Sequence, residues 1–152
     1  RASGVSMPHV KPHGALYNMA AKDEKLARAI VEGICEGDDR LTLLALSGSE
    51  MLLAAEKAGL RAASEVFADR AYQANGTLVP RSQPGAMITD ENEAIARVVR
   101  MVTEGVVTSI DGIDVPLRAD SICVHGDGAK ALLFVQKIRA ALEEKGVALK
   151  AL

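Results

Sequence analysis

Several short stretches of this 152-residue sequence hold side chains that can bind anions or move protons. The stretch VKPHGALYN, residues 10–18, places Lys11 and His13 on either side of a proline. An enclosed lysine binds a carboxylate or a phosphate, and a histidine titrates near neutral pH. Pro12 fixes the backbone here and argues against the helix that a zinc-binding HxxxH motif requires. The structural alternative is a lysine that extends into solvent and a histidine bonded to the backbone.

The stretch VHGDG, residues 124–128, combines an imidazole, a carboxylate and two glycines at a predicted strand-to-helix turn. His125 and Asp127 can form an acid/base or ligand pair, because the glycines let a substrate approach the backbone closely. The overlapping GDGAK, residues 126–130, can instead hold a phosphate at a helix N-terminus, although it lacks the full P-loop pattern. In the plainer alternative, Asp127 only caps the helix.

The stretch EVFADR, residues 65–70, carries three charged residues at the end of an apolar strand. Glu65 interrupts a segment that otherwise reads as buried, and an unpaired buried carboxylate is costly, which favours a functional role. Asp69 supplies a second carboxylate, and Arg70 can keep a carboxylate ionised. The alternative is a solvated turn with a weak ion pair. Arg81, in a later polar loop, can clamp an anionic substrate or simply be solvated.

Strand-like and helix-like segments alternate along the chain, which predicts an α/β fold. Strands are predicted over 7–12, 41–46 and 62–67 and within 121–128, with a hairpin over 106–117 that turns at Asp111-Gly112. Helices are predicted over 15–37, 49–59, 91–105 and 129–146, with Ser49 and Asp90 as N-caps. The connection 68–85 is unusually long and polar, which favours a functional loop.

The carboxyl ends of parallel strands are where α/β folds carry their sites. Side-chain alternation along each strand would direct the polar residues at these ends away from the helices. We therefore expect one polar cleft formed by Lys11, His13, Glu65, Asp69, His125 and Asp127.

Composition narrows the classes of partner. The net charge of −2 and the lack of a basic cluster with stacking aromatics argue against nucleic acid. No apolar run reaches the length of a membrane span. Cys35 and Cys123 lie far apart in apolar segments, which favours buried reduced thiols and a cytoplasmic location. The length predicts a single domain over residues 1–152.

Taken together, VKPHGALYN, EVFADRAY, GTLVPRSQPGAMI and SICVHGD, in this order over essentially the whole chain, resemble the LamB/YcsF family. The resemblance implies a partial (β/α) barrel of the glycoside hydrolase/deacetylase type that lacks its N-terminal strands. The chain is accordingly expected to be the C-terminal part of such a barrel. It departs from the family at Gly128-Ala129-Lys130, where relatives tend to continue VHGD with a Thr or Asn and a Pro.

The same resemblance implies one component of an ATP-dependent 5-oxoprolinase, which opens the lactam ring of 5-oxo-L-proline by hydrolysis to give L-glutamate. ATP with Mg would be used by a complex with companion subunits, and a protein-bound metal is left unknown. The implied catalytic residues are Lys11, His13, Glu65, Asp69, His125 and Asp127, and the implied substrate-binding residues are Tyr17, Arg70 and Arg81. Two alternatives stay open, a metal-dependent deacetylase-like C–N hydrolase and a noncatalytic scaffold subunit.

Overall fold

The computed structural model of the chain describes residue 4 and residues 7–125 and 131–152. Its strands are β1 (His9–Val10), β2 (Thr42–Leu46), β3 (Ala62–Phe67), β4 (Val106–Thr108), β5 (Asp114–Pro116) and β6 (Ser121–Cys123). Its helices are α1 (Gly14–Ala20), α2 (Glu24–Asp38), α3 (Glu50–Ala58), α4 (Glu91–Thr103) and α5 (Ala131–Glu144).

The larger sheet has the strand order β1-β2-β3-β6, and β4 pairs with β5 in a separate antiparallel hairpin. Two of its pairs are parallel, β1 with β2 and β3 with β6. In the second pair Glu65 lies opposite Ser121 and Phe67 lies opposite Cys123. Strands that alternate with helices and pair in parallel form the α/β organisation that the sequence predicts.

The chain divides into two compact units, Arg1–Ser64 with Leu152 and Glu65–Ala151. Compactness alone does not decide whether a unit folds independently. The single domain over residues 1–152 therefore stays a prediction.

In the first unit, α2 packs against α3. The apolar stripe of α2 buries Ala27 and Val31, and α3 buries Met51 and Ala55. Gly59 ends α3 with φ of 70°, a left-handed conformation that glycine adopts without strain. The predicted stop at this glycine is thus confirmed.

The single helix predicted over 15–37 is wrong, because the structure has two helices there. The side chain of Asp23 accepts a hydrogen bond of 3.0 Å from the Leu26 backbone N–H, and this cap starts α2. Before it, Lys22 N–H bonds to the Met19 carbonyl at 3.2 Å, which closes the last turn of α1 tightly. The apolar spacing continues across the break and conceals it.

Two further predictions for this unit need correction. The first strand spans His9–Val10 rather than 7–12, since Pro8 and Pro12 have no N–H to donate to a strand ladder. Ser49 occupies the N-cap position of α3, but its side chain makes no capping bond. Its hydroxyl is buried without a hydrogen-bond partner among the described residues.

In the second unit, α4 packs against α5 around a buried cluster formed by Ala68, Val98, Ile138 and Leu142. Asp90 caps α4 as predicted, accepting a bond of 2.8 Å from the Glu93 N–H. The predicted hairpin is present as β4 and β5.

Two features bear on the chain's environment. Within the described residues Cys35 and Cys123 form no disulfide, and both are half-buried rather than fully buried. Within the described ranges, no helix combines the length and the apolar character that crossing a bilayer demands.

Candidate active site

The parallel pair β3–β6 brings two predicted site residues together. Phe67 and Cys123 are the last residues of these strands and lie in register. The ladder continues one step further, because the Ala68 N–H donates to the Cys123 carbonyl at 3.1 Å. Asp69 and His125 each lie two residues beyond the paired ends, so the register alone places them side by side.

Asp69 and His125 form a hydrogen-bonded pair. The ring Nδ1 of His125 lies 2.8 Å from Oδ1 and 2.7 Å from Oδ2 of the carboxylate. The side chains are 25% and 15% exposed for His125 and Asp69, so the pair is shielded but reachable. A carboxylate only accepts, so Nδ1 carries the proton and the lone pair of a neutral ring is on Nε2.

Arg81 occupies the other side of the same imidazole. Its Nη2 lies 3.0 Å from Nε2 of His125. A guanidinium only donates, so Nε2 is the acceptor, in agreement with the tautomer that Asp69 selects. The imidazole of His125 thus lies between a carboxylate and a guanidinium.

Phe67 stacks on His125, with ring centroids 6.0 Å apart and the planes inclined by 30°. The backbone N–H of Phe67 donates to the hydroxyl of Tyr72 at 2.9 Å. Tyr72 is buried, and burial raises the pKa of its phenol well above the ordinary value. The phenol therefore stays neutral and holds the backbone beneath the stacked ring.

Arg70 is a buried cation next to this cluster. Its side chain is almost inaccessible, and its Nη2 donates to the Val79 carbonyl at 2.6 Å. Burial lowers the pKa of Arg70, and the positive charge of Arg81 lowers it further. The Nε of Arg70 has no hydrogen-bond partner among the described residues. Two neighbouring guanidinium groups, one of them unsatisfied, favour binding of an anion.

The long loop that carries Arg70 and Arg81 is held by backbone bonds rather than by regular structure. The Ile88 N–H donates to the Asp69 carbonyl at 2.9 Å, and the Ala71 N–H donates to the Ala86 carbonyl at 3.0 Å. Beneath these bonds, Ala71, Val79 and Ala86 form a small buried cluster. The loop is therefore an ordered platform for the two arginines.

Glu65 is buried in β3, with 3% of its surface exposed. It precedes Phe67 by two residues, so the two side chains lie on one face of the sheet. Because Phe67 stacks on His125, Glu65 lies on the sheet face that bears the imidazole.

The predicted residues of the first unit form their own arrangement. The Nζ of Lys11 lies 5.4 Å from the ring centroid of buried Tyr17, within the range of a cation–π contact. His13 is exposed at the N-cap of α1 and makes no capping bond through its side chain. Both residues lie beyond the end of β1, so strand alternation does not fix their direction.

Asp127 and the GDGAK stretch lie outside the described residues. The convergence of all six predicted catalytic residues on one cleft accordingly stays a prediction. In the described ranges, no cluster of three or more His, Cys, Asp or Glu side chains is arranged to hold a metal ion.

Sequence reasoning missed Phe67, Tyr72 and Arg97. The guanidinium of Arg97 donates to the Arg70 carbonyl at 3.1 Å and to the Thr108 carbonyl at 3.3 Å. It therefore holds the backbone of a site residue from α4. The signal that could have found Arg97 is its place beside the apolar stripe of this helix, where a charge needs a partner.

The chain is similar to known proteins over nearly all of its length. The model of the LamB/YcsF family matches residues 1–152. The chain is 63% identical, over 97% of its length, to the A subunit of 5-oxoprolinase from Clostridium beijerinckii. It is 53% identical, over 100% of its length, to the protein of that name from Bacillus subtilis.

A solved structure of a related protein has the same fold as this chain. The lactam utilization protein from Thermus thermophilus is 45% identical and superposes with a TM-score of 0.86 over 99% of this chain. This likeness confirms the predicted α/β fold and agrees with part of a (β/α) barrel. The chain spans 58% and 59% of the two curated relatives and 60% of the solved chain. From the full-length match of the family model, the chain belongs to the LamB/YcsF family.

Proposed function

We propose that the chain acts as part of the A subunit of an ATP-dependent 5-oxoprolinase, which hydrolyses 5-oxo-L-proline to L-glutamate. The observation that carries the proposal is the imidazole of His125 held between Asp69 and Arg81, in a chain 63% identical to a 5-oxoprolinase component. The pair supplies a proton acceptor, and the arginines supply a site for the substrate's carboxylate.

The charges around His125 suit this substrate. At neutral pH, 5-oxoproline carries one carboxylate on a planar, uncharged lactam ring. Burial lowers the pKa of Arg70, the positive charge of Arg81 lowers it further, and an anion between or beside the two guanidinium groups would relieve their repulsion. The proposal therefore assigns carboxylate binding to these two arginines.

The reaction adds one water across the lactam C–N bond. Asp69 holds the Nδ1–H of His125, so that Nε2 takes a proton from the attacking water. The water oxygen bonds to the carbonyl carbon, the C–N bond breaks, and the ring nitrogen receives the proton. The products of this balance are the γ-carboxyl and the α-amino group of glutamate.

ATP enters the proposal as a co-substrate of the complex. A planar amide resists water, and activation of its carbonyl oxygen makes the carbon open to attack. The complex with its companion subunits would bind ATP with Mg, and a second water would take up the phosphoryl group to give ADP and phosphate. The cytoplasm, where ATP is available, is the proposed location.

Four further residues belong to the proposal on the strength of the family motifs. Lys11 would neutralise negative charge that develops on the lactam oxygen, and His13 would move protons. Glu65 and Asp127 would orient water or substrate.

The test is a glutamate-release assay on the complex assembled with the companion subunits, with and without ATP. His125→Gln should lower kcat/KM by roughly 100-fold or more, since it removes the proton acceptor. His9→Gln is the matched control, because His9 is an exposed histidine at the start of β1. ATP-independent glutamate release by this chain alone would overturn its assignment to an ATP-dependent complex. Unchanged release by the His125 variant would overturn the role of the imidazole.

A further inference from the structure

Both ring nitrogens of His125 are engaged in hydrogen bonds in the structure. Asp69 holds Nδ1 at 2.7 Å and Arg81 covers Nε2 at 3.0 Å. A histidine that takes a proton from water must present a bare Nε2 lone pair. Arg81 therefore has to leave before the proposed chemistry can start.

Arg81 is placed to leave without disturbing the fold. Its side chain is exposed, whereas the loop around it is fixed by backbone bonds, such as that from the Gln83 N–H to the Pro80 carbonyl at 2.9 Å. Among the described residues, the structure gives the guanidinium of Arg81 no carboxylate partner. Its bond to His125 is a single N–H···N contact, and the charge of Arg70 repels it.

A carboxylate is a better partner for this guanidinium than an imidazole. Arginine and a carboxylate form two parallel bonds between opposite charges, whereas the imidazole offers this guanidinium one bond to an uncharged acceptor. A carboxylate ligand that reaches Arg81 therefore competes for it successfully. The bond to Nε2 breaks as the new pair forms.

We propose that Arg81 blocks Nε2 of His125 until the carboxylate of the substrate binds Arg81 and breaks this bond. We call the bond between Arg81 and Nε2 the latch. The latch rests on the proposed function, and it adds a specificity rule to it. A lactam that carries a carboxylate frees Nε2 of His125 to act as the base, whereas a lactam without a carboxylate leaves Nε2 bonded to Arg81. 5-Oxoproline and 2-pyrrolidinone, the same ring without the carboxylate, are the matched pair of probes.

The direct test observes the imidazole nitrogens of His125 by ¹⁵N NMR. The chain has three histidines, so His9→Gln and His13→Gln assign the remaining ring. In the wild-type chain, 5-oxoproline should move the Nε2 resonance to the chemical shift of a nitrogen that no longer accepts a bond from Arg81. 2-Pyrrolidinone should leave this resonance unchanged. In Arg81→Ala, Nε2 should have this same chemical shift before any ligand is added. Arg139→Ala, which removes an exposed arginine of α5, should behave as wild type.

The kinetic test uses the assembled complex and ATP. Arg81→Ala should lower kcat/KM for 5-oxoproline by roughly 100-fold, because it removes the group that binds the carboxylate. It should raise kcat/KM for 2-pyrrolidinone, because it also removes the group that blocks Nε2. An equal loss for both lactams would overturn the latch, since a merely structural role of Arg81 affects both.

The NMR outcomes separate failure of the latch from failure of the proposed function. Identical Nε2 resonances in wild type and Arg81→Ala without ligand would overturn the latch whatever the substrate. Binding of 5-oxoproline that shifts other residues but not Nε2 would overturn the latch and leave the proposed function standing. Absence of glutamate release by the complete wild-type complex would overturn the proposed function, while the ligand-free comparison would still report on the contact between Arg81 and His125.

Discussion

At the scale of single residues, the chemistry depends on which nitrogen of His125 carries the proton. Asp69 accepts from Nδ1 and Arg81 donates to Nε2, and both contacts select the same tautomer. A substitution that keeps the shape of a side chain but alters which nitrogen of His125 is protonated is therefore the most direct test of the pair.

Asp69→Asn is such a change. The amide can donate to Nδ1, which favours the tautomer with its lone pair on the wrong nitrogen. We expect kcat/KM for 5-oxoproline in the assembled complex to fall on the order of 100- to 10,000-fold, with little change in the melting temperature. Asp120→Asn, at the opposite end of β6, is the control. A loss below about threefold would mean that Asp69 does not orient the imidazole.

Part of this cluster could be predicted from the sequence. Asp69 and His125 follow strands, and parallel strands end at a common edge, so pattern alone proposes both. The bond between Arg81 and His125 joins residues 44 positions apart. No local pattern encodes such a contact, because it depends on how an irregular loop folds back. Phe67 was missed because an aromatic at a strand end reads as ordinary core.

At the scale of elements, predictions succeeded where a local signal was unambiguous. The apolar run of β2 and the Asp90 cap of α4 were predicted because burial and capping leave direct marks in the sequence. The break between α1 and α2 was missed because the apolar periodicity continues through it, while the decisive Asp23 bond involves one side chain. Periodicity reports which face is buried, and it does not report where a helix restarts.

The hairpin β4–β5 is tied to α4 by an ionic contact that titrates. Arg100 donates to both carboxylate oxygens of Asp114, at 2.9 Å and 2.5 Å, and Thr108 adds a bond of 2.9 Å. The bonds from Arg100, followed by that from Thr108, lower the pKa of Asp114 to about 2. A lowered folded pKa stabilises the protein above the unfolded value near 3.8, and the contribution is lost as pH falls towards 2.

Asp114→Asn should therefore lower the melting temperature slightly at pH 7, and the difference from wild type should shrink between about pH 4 and pH 2. The effect is small because the carboxylate is exposed to water. Melting curves across this range measure it, with Asp111→Asn at the exposed turn of the same hairpin as control. A difference that grows as pH falls would contradict the assignment.

The packing of α4 on α5 leads to the prediction with the largest expected change in the free energy of unfolding. Leu142 is fully buried in the cluster between these helices, whereas Leu133, on the same helix, is 48% exposed. Leu142→Ala should lower the free energy of unfolding by about 2–5 kcal/mol, because it removes buried methyl groups and leaves a cavity. Leu133→Ala should change it by roughly 0.5 kcal/mol or less. Urea unfolding measures both, and equal effects would show that α5 does not pack as described.

At the scale of the whole molecule, the family motifs are distributed over both compact units. The stretch with Lys11, His13 and Tyr17 belongs to the first unit, and the cluster around His125 belongs to the second. The family model spans both units. If the proposed function is correct, residues of the first unit serve the same reaction as those of the second.

Lys11→Ala tests this directly in the complex assembled with the companion subunits. We expect kcat/KM for glutamate release to fall by roughly 100-fold or more, because a cation that stabilises developing charge acts mainly in the transition state. Lys22→Ala, which removes an exposed lysine of the same unit, should leave the rate unchanged. Tyr17→Phe keeps the ring beneath the ammonium group and should retain most of the activity if the ring only positions Lys11. A Lys11 variant with full activity would confine the chemistry to the second unit and remove Lys11 from the proposed site.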